Sequence, residues 1–181
     1  MSVAIARWTL DDYHTMINAG LFEGRPIELL NGWIVEISPE GSDHADLSTN
    51  ANEYFIQFSQ GRYRVRVDKP ITLIETASEP EPDIALVKPQ PYRNAHPSAE
   101  DVFLIIEFSR TSLTKDTEEK RQVYATAGII DYWVANLRAG ELIVYRDPLH
   151  GNYRSEQRLA TGAISPLAFP DISIDVQMLL P

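Results

Sequence analysis

The fold is decided by seven consecutive residues in the middle of the chain, Val102-Phe-Leu-Ile-Ile-Glu-Phe108. Every position except Glu107 is apolar, so a strand over these residues would present apolar side chains on both of its faces. This pattern predicts a central strand that is covered on both sides. Burying an ionised glutamate without a partner costs several kcal/mol. Glu107 therefore needs a cation beside it.

A second apolar strand is expected over residues 84–87, and Asp83 stands directly before it. Antiparallel pairing of residues 84–87 with residues 102–108 would bring Asp83 and Glu107 to the same edge of the sheet, whereas parallel pairing would separate them. Two carboxylates that converge without cysteine or paired histidines form an all-oxygen site, which suits Mg²⁺ or Mn²⁺. The same residues also fit a structural arrangement, in which an arginine pairs with Glu107 and Asp83 caps a loop.

A lysine is expected to reach the two carboxylates from the next helix. Asp116 and Glu119 form a capping-box pattern, which predicts a helix over residues 116–127. In that helix Lys120 and Tyr124 share the face that packs on the sheet. We therefore expect Lys120 at the edge that carries the carboxylates. The alternative is a lysine whose stem covers apolar surface while its ammonium group reaches solvent.

The rest of the chain contains both helices and strands. Asn31-Gly32 stands between two apolar runs and is typical of a tight hairpin, because both residues tolerate positive φ. Helices are predicted over residues 9–19 and 41–61 by the spacing of their apolar residues and by their end signals. The remaining expected elements are strands over residues 62–67, 71–74, 130–134, 141–145 and 153–159 and a short closing helix within residues 171–180.

Length and composition limit the class of protein. The 181 residues fit one domain, residues 1–181, and make two full domains unexpected. Cysteine is absent, which excludes disulfides, thiol nucleophiles and zinc sites that need sulfur. The longest aliphatic stretches are far too short for a membrane helix, and the N-terminus lacks the basic start and apolar core of a signal peptide. We expect a cytoplasmic protein without membrane contact.

The charge balance bears on possible partners. The chain has 16 Lys and Arg against 26 Asp and Glu, a net charge of −10, which argues against coating nucleic acid through a basic surface. A polyanion partner would need a basic stripe, a bound divalent cation, or both. Arg62, Arg64 and Arg66 alternate with apolar residues and would lie on one strand face, which is also typical of a solvated face. Arg110 and Lys115 are further candidates for phosphate contacts, although Lys115 precedes the predicted helix and is less expected to be directed inward.

Short motifs follow one another between residues 9 and 146: Glu28-Leu-Leu-Asn-Gly32, His44, Pro82-Asp83-Ile-Ala-Leu-Val87, Ile106-Glu107-Phe-Ser109, Asp116, Lys120, Tyr124, Ala127-Gly128 and Asp131-Tyr-Trp133. As an ordered set they resemble the Uma-type family of putative restriction endonucleases, which belongs to the PD-(D/E)xK nuclease superfamily. The resemblance implies an α/β fold of the mixed α+β type, with a restriction-endonuclease-like mixed sheet flanked by helices.

The resemblance also implies roles for individual residues. Asp83 and Glu107 would be the metal-binding carboxylates, and Glu28 a further acidic contributor near the same site. The usual nuclease motif has a lysine two residues after the glutamate, where this chain has Ser109. The family pattern moves that lysine to the following helix, which matches Lys120.

Three other positions bear on the resemblance. His44 matches a family position beside the site, although a lone histidine at a helix start is also typical of a capping or surface residue. Arg110 stands where the family commonly has proline, and Asp131 where it has glutamate. Neither change affects the expected metal ligands.

Two functions from different classes fit these observations. The first is Mg²⁺- or Mn²⁺-dependent hydrolysis of DNA, in which Lys120 would orient the attacking water and offset developing negative charge. Cleavage of both strands would favour a homodimer. The second is a noncatalytic interaction module that retains the nuclease fold and selects a protein partner through its acidic surface. A glycosidase that uses Asp83 and Glu107 is a weaker third hypothesis, because no aromatic-rich sugar cleft is apparent.

Overall fold

The computed structural model describes residues 5–181, so what was expected of residues 1–4 lies outside the described residues. Within the described range the chain forms three α-helices and ten strands. The helices are α1 (Leu10–Asn18), α2 (Ser42–Ser59) and α3 (Arg121–Thr126). The strands are β1 (Ile27–Leu30), β2 (Trp33–Glu36), β3 (Arg64–Val67), β4 (Ile84–Val87), β5 (Val102–Ser109), β6 (Asp131–Asn136), β7 (Glu141–Leu149), β8 (Asn152–Leu159), β9 (Ala163–Ile164) and β10 (Ile174–Asp175).

Six strands form one mixed sheet in the order β3-β4-β5-β6-β7-β8. Neighbouring strands are antiparallel except β5 and β6, which run parallel. Parallel neighbours need a crossover connection, and here the chain crosses through α3. The mixed α+β fold implied by the resemblance is confirmed. No helix within residues 5–181 has the length and apolar character needed to cross a membrane.

The central strand β5 contributes side chains to two apolar layers, one on each face of the sheet. Leu104 and Ile106 belong to the layer that contains Phe55 of α2. Ile105 belongs to the other layer, with Tyr124 of α3. Because side chains alternate along a strand, Glu107 shares the α3 face with Ile105.

A small antiparallel hairpin, β1 and β2, forms beside the main sheet. Its turn is Asn31-Gly32, with φ of 51° and 76°, as the sequence predicts for a tight turn that needs two positive φ values. Ile27 and Leu29 of β1 pack against Tyr13 of α1. This packing fixes the strand that carries Glu28.

One predicted strand is wrong. Residues 71–74 form no regular strand: Thr72 and Leu73 make only isolated bridges to Ser98 and Ser78, and Ile74–Thr76 is a 3₁₀ turn. Here the chain bends back on itself, as the two backbone hydrogen bonds between Leu73 and Ser78 show. An apolar run of four residues is too short to distinguish a strand from such a buried turn.

Asp131 joins β6, β7 and the segment that follows β9. Its carboxylate is fully buried and accepts hydrogen bonds from Trp133 Nε1 at 2.7 Å, Arg146 Nε at 2.8 Å and the Leu167 N–H at 2.8 Å. Removing one partner of a buried charge pair leaves the other partners uncompensated.

We therefore expect Asp131→Ala to lower the free energy of unfolding by about 3–5 kcal/mol, as loss of a buried charge partner typically does. Urea denaturation followed by circular dichroism would measure this change in the free energy of unfolding. The control is Glu36→Ala, which removes an exposed ion pair with Arg25 and should cost about 1 kcal/mol or less. Equal losses for the two variants would contradict this role of Asp131.

Candidate active site

A cleft of about 230 Å³ opens where β4 begins and β5 ends. Most of its ionisable side chains are acidic, and three lysine or arginine side chains and one histidine accompany them. The ionisable residues that line it are Glu40, His44, Asp68, Glu81, Asp83, Glu107, Arg110, Lys115, Asp116 and Lys120.

The sheet register brings Asp83 and Glu107 to this cleft. Strands β4 and β5 are antiparallel, with Ile84 opposite Ile106, so Asp83 precedes one strand at the level where Glu107 stands on the other. Of the two pairings considered from the sequence, the antiparallel one is observed, and both carboxylates lie at the same end of the sheet. Whether they share one ion stays a prediction.

The cation that compensates the buried charge of Glu107 is the ammonium group of Lys120. Lys120 Nζ donates to Glu107 Oε1 at 2.9 Å, and the Tyr124 hydroxyl donates to the same oxygen at 2.8 Å. Only 2% of Glu107 and 3% of Lys120 is exposed. Burial raises the pKa of Glu107, and the adjacent ammonium group opposes that rise. The arginine partner considered as the structural alternative is absent from the hydrogen bonds and ion pairs of Glu107 within residues 5–181.

Glu28 is a second carboxylate beside the same lysine. Its carboxylate lies 3.5 Å from Lys120 Nζ and accepts a hydrogen bond from Lys115 Nζ at 2.9 Å. Burial alone would raise the pKa of Glu28, but the charges of Lys120 and Lys115 outweigh it and hold that pKa below its ordinary value. The structure thus brings Glu28, Glu107 and Lys120 into one contact network beside Asp83.

The expected direction of Lys115 is wrong, and the reason is a local change of helix type. Lys115–Lys120 forms a π-helical turn, which continues directly into α3. In a π-helix hydrogen bonds join residues five apart, so residues at that spacing lie near one face. Lys115 and Lys120 are five residues apart and both reach Glu28.

The capping role expected for Asp116 is also wrong. The helical segment begins at residue 113, three residues earlier than predicted. Asp116 is buried and its carboxylate accepts hydrogen bonds from the hydroxyls of Ser109 and Ser112. Ser109, at the end of β5, therefore contacts the start of the segment that carries Lys120.

His44 contacts Asp83 directly. His44 Nε2 lies 2.9 Å from Asp83 Oδ2, and the Phe108 N–H donates to that same oxygen at 2.6 Å. Burial alone would lower the pKa of His44, but the hydrogen bond to Asp83 and the charges of Asp83 and Glu40 raise it to about 9. The imidazole is therefore charged at neutral pH and forms an ion pair with Asp83.

Two acidic residues that the sequence analysis did not single out lie beside Asp83. One oxygen each from Glu40, Asp68 and Asp83 can be chosen so that all three lie within 4.8 Å of one another. Burial, together with the charges of Glu40 and Asp83, raises the pKa of Asp68 to about 6. Both residues lie in loops, where no periodicity of the sequence predicts which side chains converge.

The expected arginine stripe does not line this cleft. Arg62 pairs with Asp171 at 2.9 Å, and Arg64 and Arg66 line a separate groove. Arg110 does line the cleft and pairs with Asp43.

Comparison with known proteins agrees with this architecture. The family model described as Uma2, putative restriction endonuclease, matches residues 10–177. The chain belongs to the Uma2 family. Among solved structures, a protein from Anabaena variabilis described as a putative nuclease has a TM-score of 0.73 at 16% identity, over 94% of this chain and 97% of that chain. This likeness shows a shared fold, and no curated protein matches the chain.

The His44–Asp83 pair of this Uma2-family cleft gives a prediction about pH. We expect NMR titration of the metal-free protein to give His44 a pKa of about 9, and Asp83→Asn to lower it strongly. Folding favours the charged imidazole, so this pair stabilises the fold fully below the ordinary pKa of 6.5, and the contribution is lost as pH rises through about 9.

The matched control is Glu40→Gln. Glu40 lies farther from the imidazole, at 3.4 Å from Nδ1, and is 42% exposed. The substitution Glu40→Gln should lower the pKa of His44 less than Asp83→Asn does. A His44 titration that is unchanged by Asp83→Asn would contradict the ion pair.

Proposed function

We propose that this protein is a metal-dependent endonuclease that hydrolyses phosphodiester bonds of DNA in the cleft at Asp83 and Glu107. One observation carries the proposal: two carboxylates from paired strand ends line one cleft with a buried lysine that contacts Glu107 at 2.9 Å. The family is described as putative restriction endonucleases and the similar Anabaena variabilis protein as a putative nuclease, and both descriptions support a nuclease.

The donor set fits Mg²⁺ or Mn²⁺, because the available groups are carboxylate oxygens. Asp83 and Glu107 would hold the ion. Burial, together with the nearby charges of Glu40 and Asp83, raises the pKa of Asp68, and a divalent cation would relieve the repulsion among the three carboxylates. When bound, such an ion supplies positive charge to a phosphate and lowers the pKa of a water.

The surrounding residues hold the proposed ligands in place. Tyr124 and Lys120 both bond Oε1 of Glu107, which leaves Oε2 as the oxygen available for ligation. Glu28 lies 3.5 Å from the ammonium group of Lys120 and adds a second carboxylate beside it. Lys120 would thus present a fixed positive charge to the phosphate as negative charge develops on its oxygens. A charge held in place beforehand needs no reorganisation during the reaction.

We also propose that a homodimer acts on duplex DNA. One cleft can cut one strand, and two clefts related by a twofold axis could cut both. Sedimentation equilibrium of the protein with and without duplex DNA would measure the assembly. A monomer that cuts both strands in a single binding event would contradict the dimer.

The proposed ligands give the first test of function. We expect Asp83→Asn and Glu107→Gln each to abolish Mg²⁺- or Mn²⁺-dependent cleavage of duplex DNA and to weaken Mn²⁺ binding in calorimetry, since each removes a ligand charge. Glu36→Gln, which changes an exposed carboxylate outside the cleft, is the control and should match the parent. A parent protein that binds neither ion would favour a noncatalytic module.

Lys120 gives the second test. Lys120→Met should lower kcat by roughly 10²-fold or more and keep Mn²⁺ binding, because it removes a preorganised charge and no metal ligand. Lys120→Arg should rescue poorly, since a planar guanidinium does not reproduce a compact ammonium group. Circular dichroism would check the fold, and Lys88→Met, at a pair with Asp101 outside the cleft, is the control. Cleavage at the parental rate by Lys120→Met would contradict the proposed role of Lys120 in the reaction.

A further inference from the structure

We propose that a basic groove next to the cleft, formed by Arg64, Arg66, Lys69 and Arg93, binds the phosphate backbone of duplex DNA. This inference rests on the proposed function, and it names the surface that holds the substrate. The groove has a volume of about 540 Å³ and lies between β3 and the loop that follows β4.

The groove concentrates cations that have no acidic partner. Of the 16 lysines and arginines of the chain, nine form ion pairs with carboxylates of residues 5–181. Four of the remaining seven line this one groove, and none of its lining residues in the described range is acidic. In a chain with a net charge of −10, this grouping gives a locally positive surface that attracts a polyanion.

Hydrogen bonds to backbone carbonyls position the two arginines without neutralising them. Arg64 Nη1 donates to the Gln90 carbonyl at 2.8 Å, and Arg66 Nη2 donates to the Pro70 carbonyl at 3.2 Å. The Arg66 guanidinium also lies 5.7 Å from the centre of the Tyr92 ring, and its Nε has no hydrogen-bond partner within residues 5–181. Such prepositioned guanidinium groups suit bonds to phosphate oxygens.

The groove and the cleft are continuous along the chain. Asp68 lines the cleft, and the next residue, Lys69, lines the groove. From Asp68 back to Arg64 an extended chain spans roughly 13 Å, at ~3.3 Å per residue. Successive phosphates of one DNA strand lie farther apart than their axial rise of about 3.4 Å, but a span of this length still exceeds the separation of two neighbouring phosphates, so the groove can contact more than one phosphate beside the cleft.

The test measures binding separately from cleavage. Fluorescence anisotropy with a labelled duplex, in EDTA and over a range of NaCl concentrations, would compare the parent with Arg64→Gln, Lys69→Gln and Arg93→Gln. These three side chains are exposed and have no carboxylate partner within residues 5–181, so the fold should survive. Thermal melting would check it.

Each lost phosphate contact should weaken binding by roughly eight-fold near 0.1 M salt and reduce the salt slope by ~0.9. Arg93→Lys keeps the charge and should retain most of the affinity. The control is Arg138→Gln, which removes an exposed cation in the turn after β6 that has no carboxylate partner in the described part of the chain, and it should bind as the parent does.

The outcomes separate this inference from the proposed activity. Weaker binding by the groove variants supports the groove as the DNA-binding surface. If the parent also shows no cleavage in Mg²⁺ or Mn²⁺, that result refutes the proposed activity and leaves the groove supported. A parent that cleaves DNA while the groove variants keep its affinity and salt slope would overturn the groove. A parent that does not bind duplex DNA would overturn it as well.

Discussion

The ammonium group of Lys120 connects three parts of the structure, of which the small hairpin is far from the other two in sequence. It meets Glu107 of the central strand and Glu28 of the small hairpin, and it is carried by the crossover between the two parallel strands. Unpaired, each of these buried charges would cost several kcal/mol. In this arrangement the buried charges of the hairpin, the sheet and the crossover compensate one another, and the cleft forms where these elements meet.

Much of this arrangement is predictable from the sequence, because the responsible patterns are periodic. The apolar run around Glu107 predicts a central strand, and antiparallel pairing then predicts that Asp83 stands beside it. The spacing of Lys120 and Tyr124 predicts that both face the sheet, and both contact Glu107 in the structure. A buried charge with few possible partners is a strong constraint, since an incorrect placement would leave it unpaired.

The remaining features depend on geometry that periodicity does not encode. Lys115 reaches Glu28 from a π-helical turn, and no residue pattern in the sequence predicts that turn. Glu40 and Asp68 meet Asp83 from loops, whose paths follow the packing of distant elements. Composition has a similar limit: it counts charges but does not show which ones are paired. The positive groove can be recognised only when the structure shows that most of the other cations are paired with carboxylates.

The cleft and the groove have opposite electrostatic characters, and this difference bears on how an acidic chain could act on DNA. The cleft is lined by six carboxylate side chains against three lysine or arginine side chains and His44, so acidic groups outnumber cationic ones and disfavour a phosphate. A divalent cation held by Asp83 and Glu107 would offset part of that repulsion. The groove, by contrast, has no carboxylate among its described lining residues and needs no ion to attract a phosphate. Binding would then depend on the groove and on salt, whereas cleavage would depend on the metal ion, which is why mutations in the two surfaces should affect different measurements.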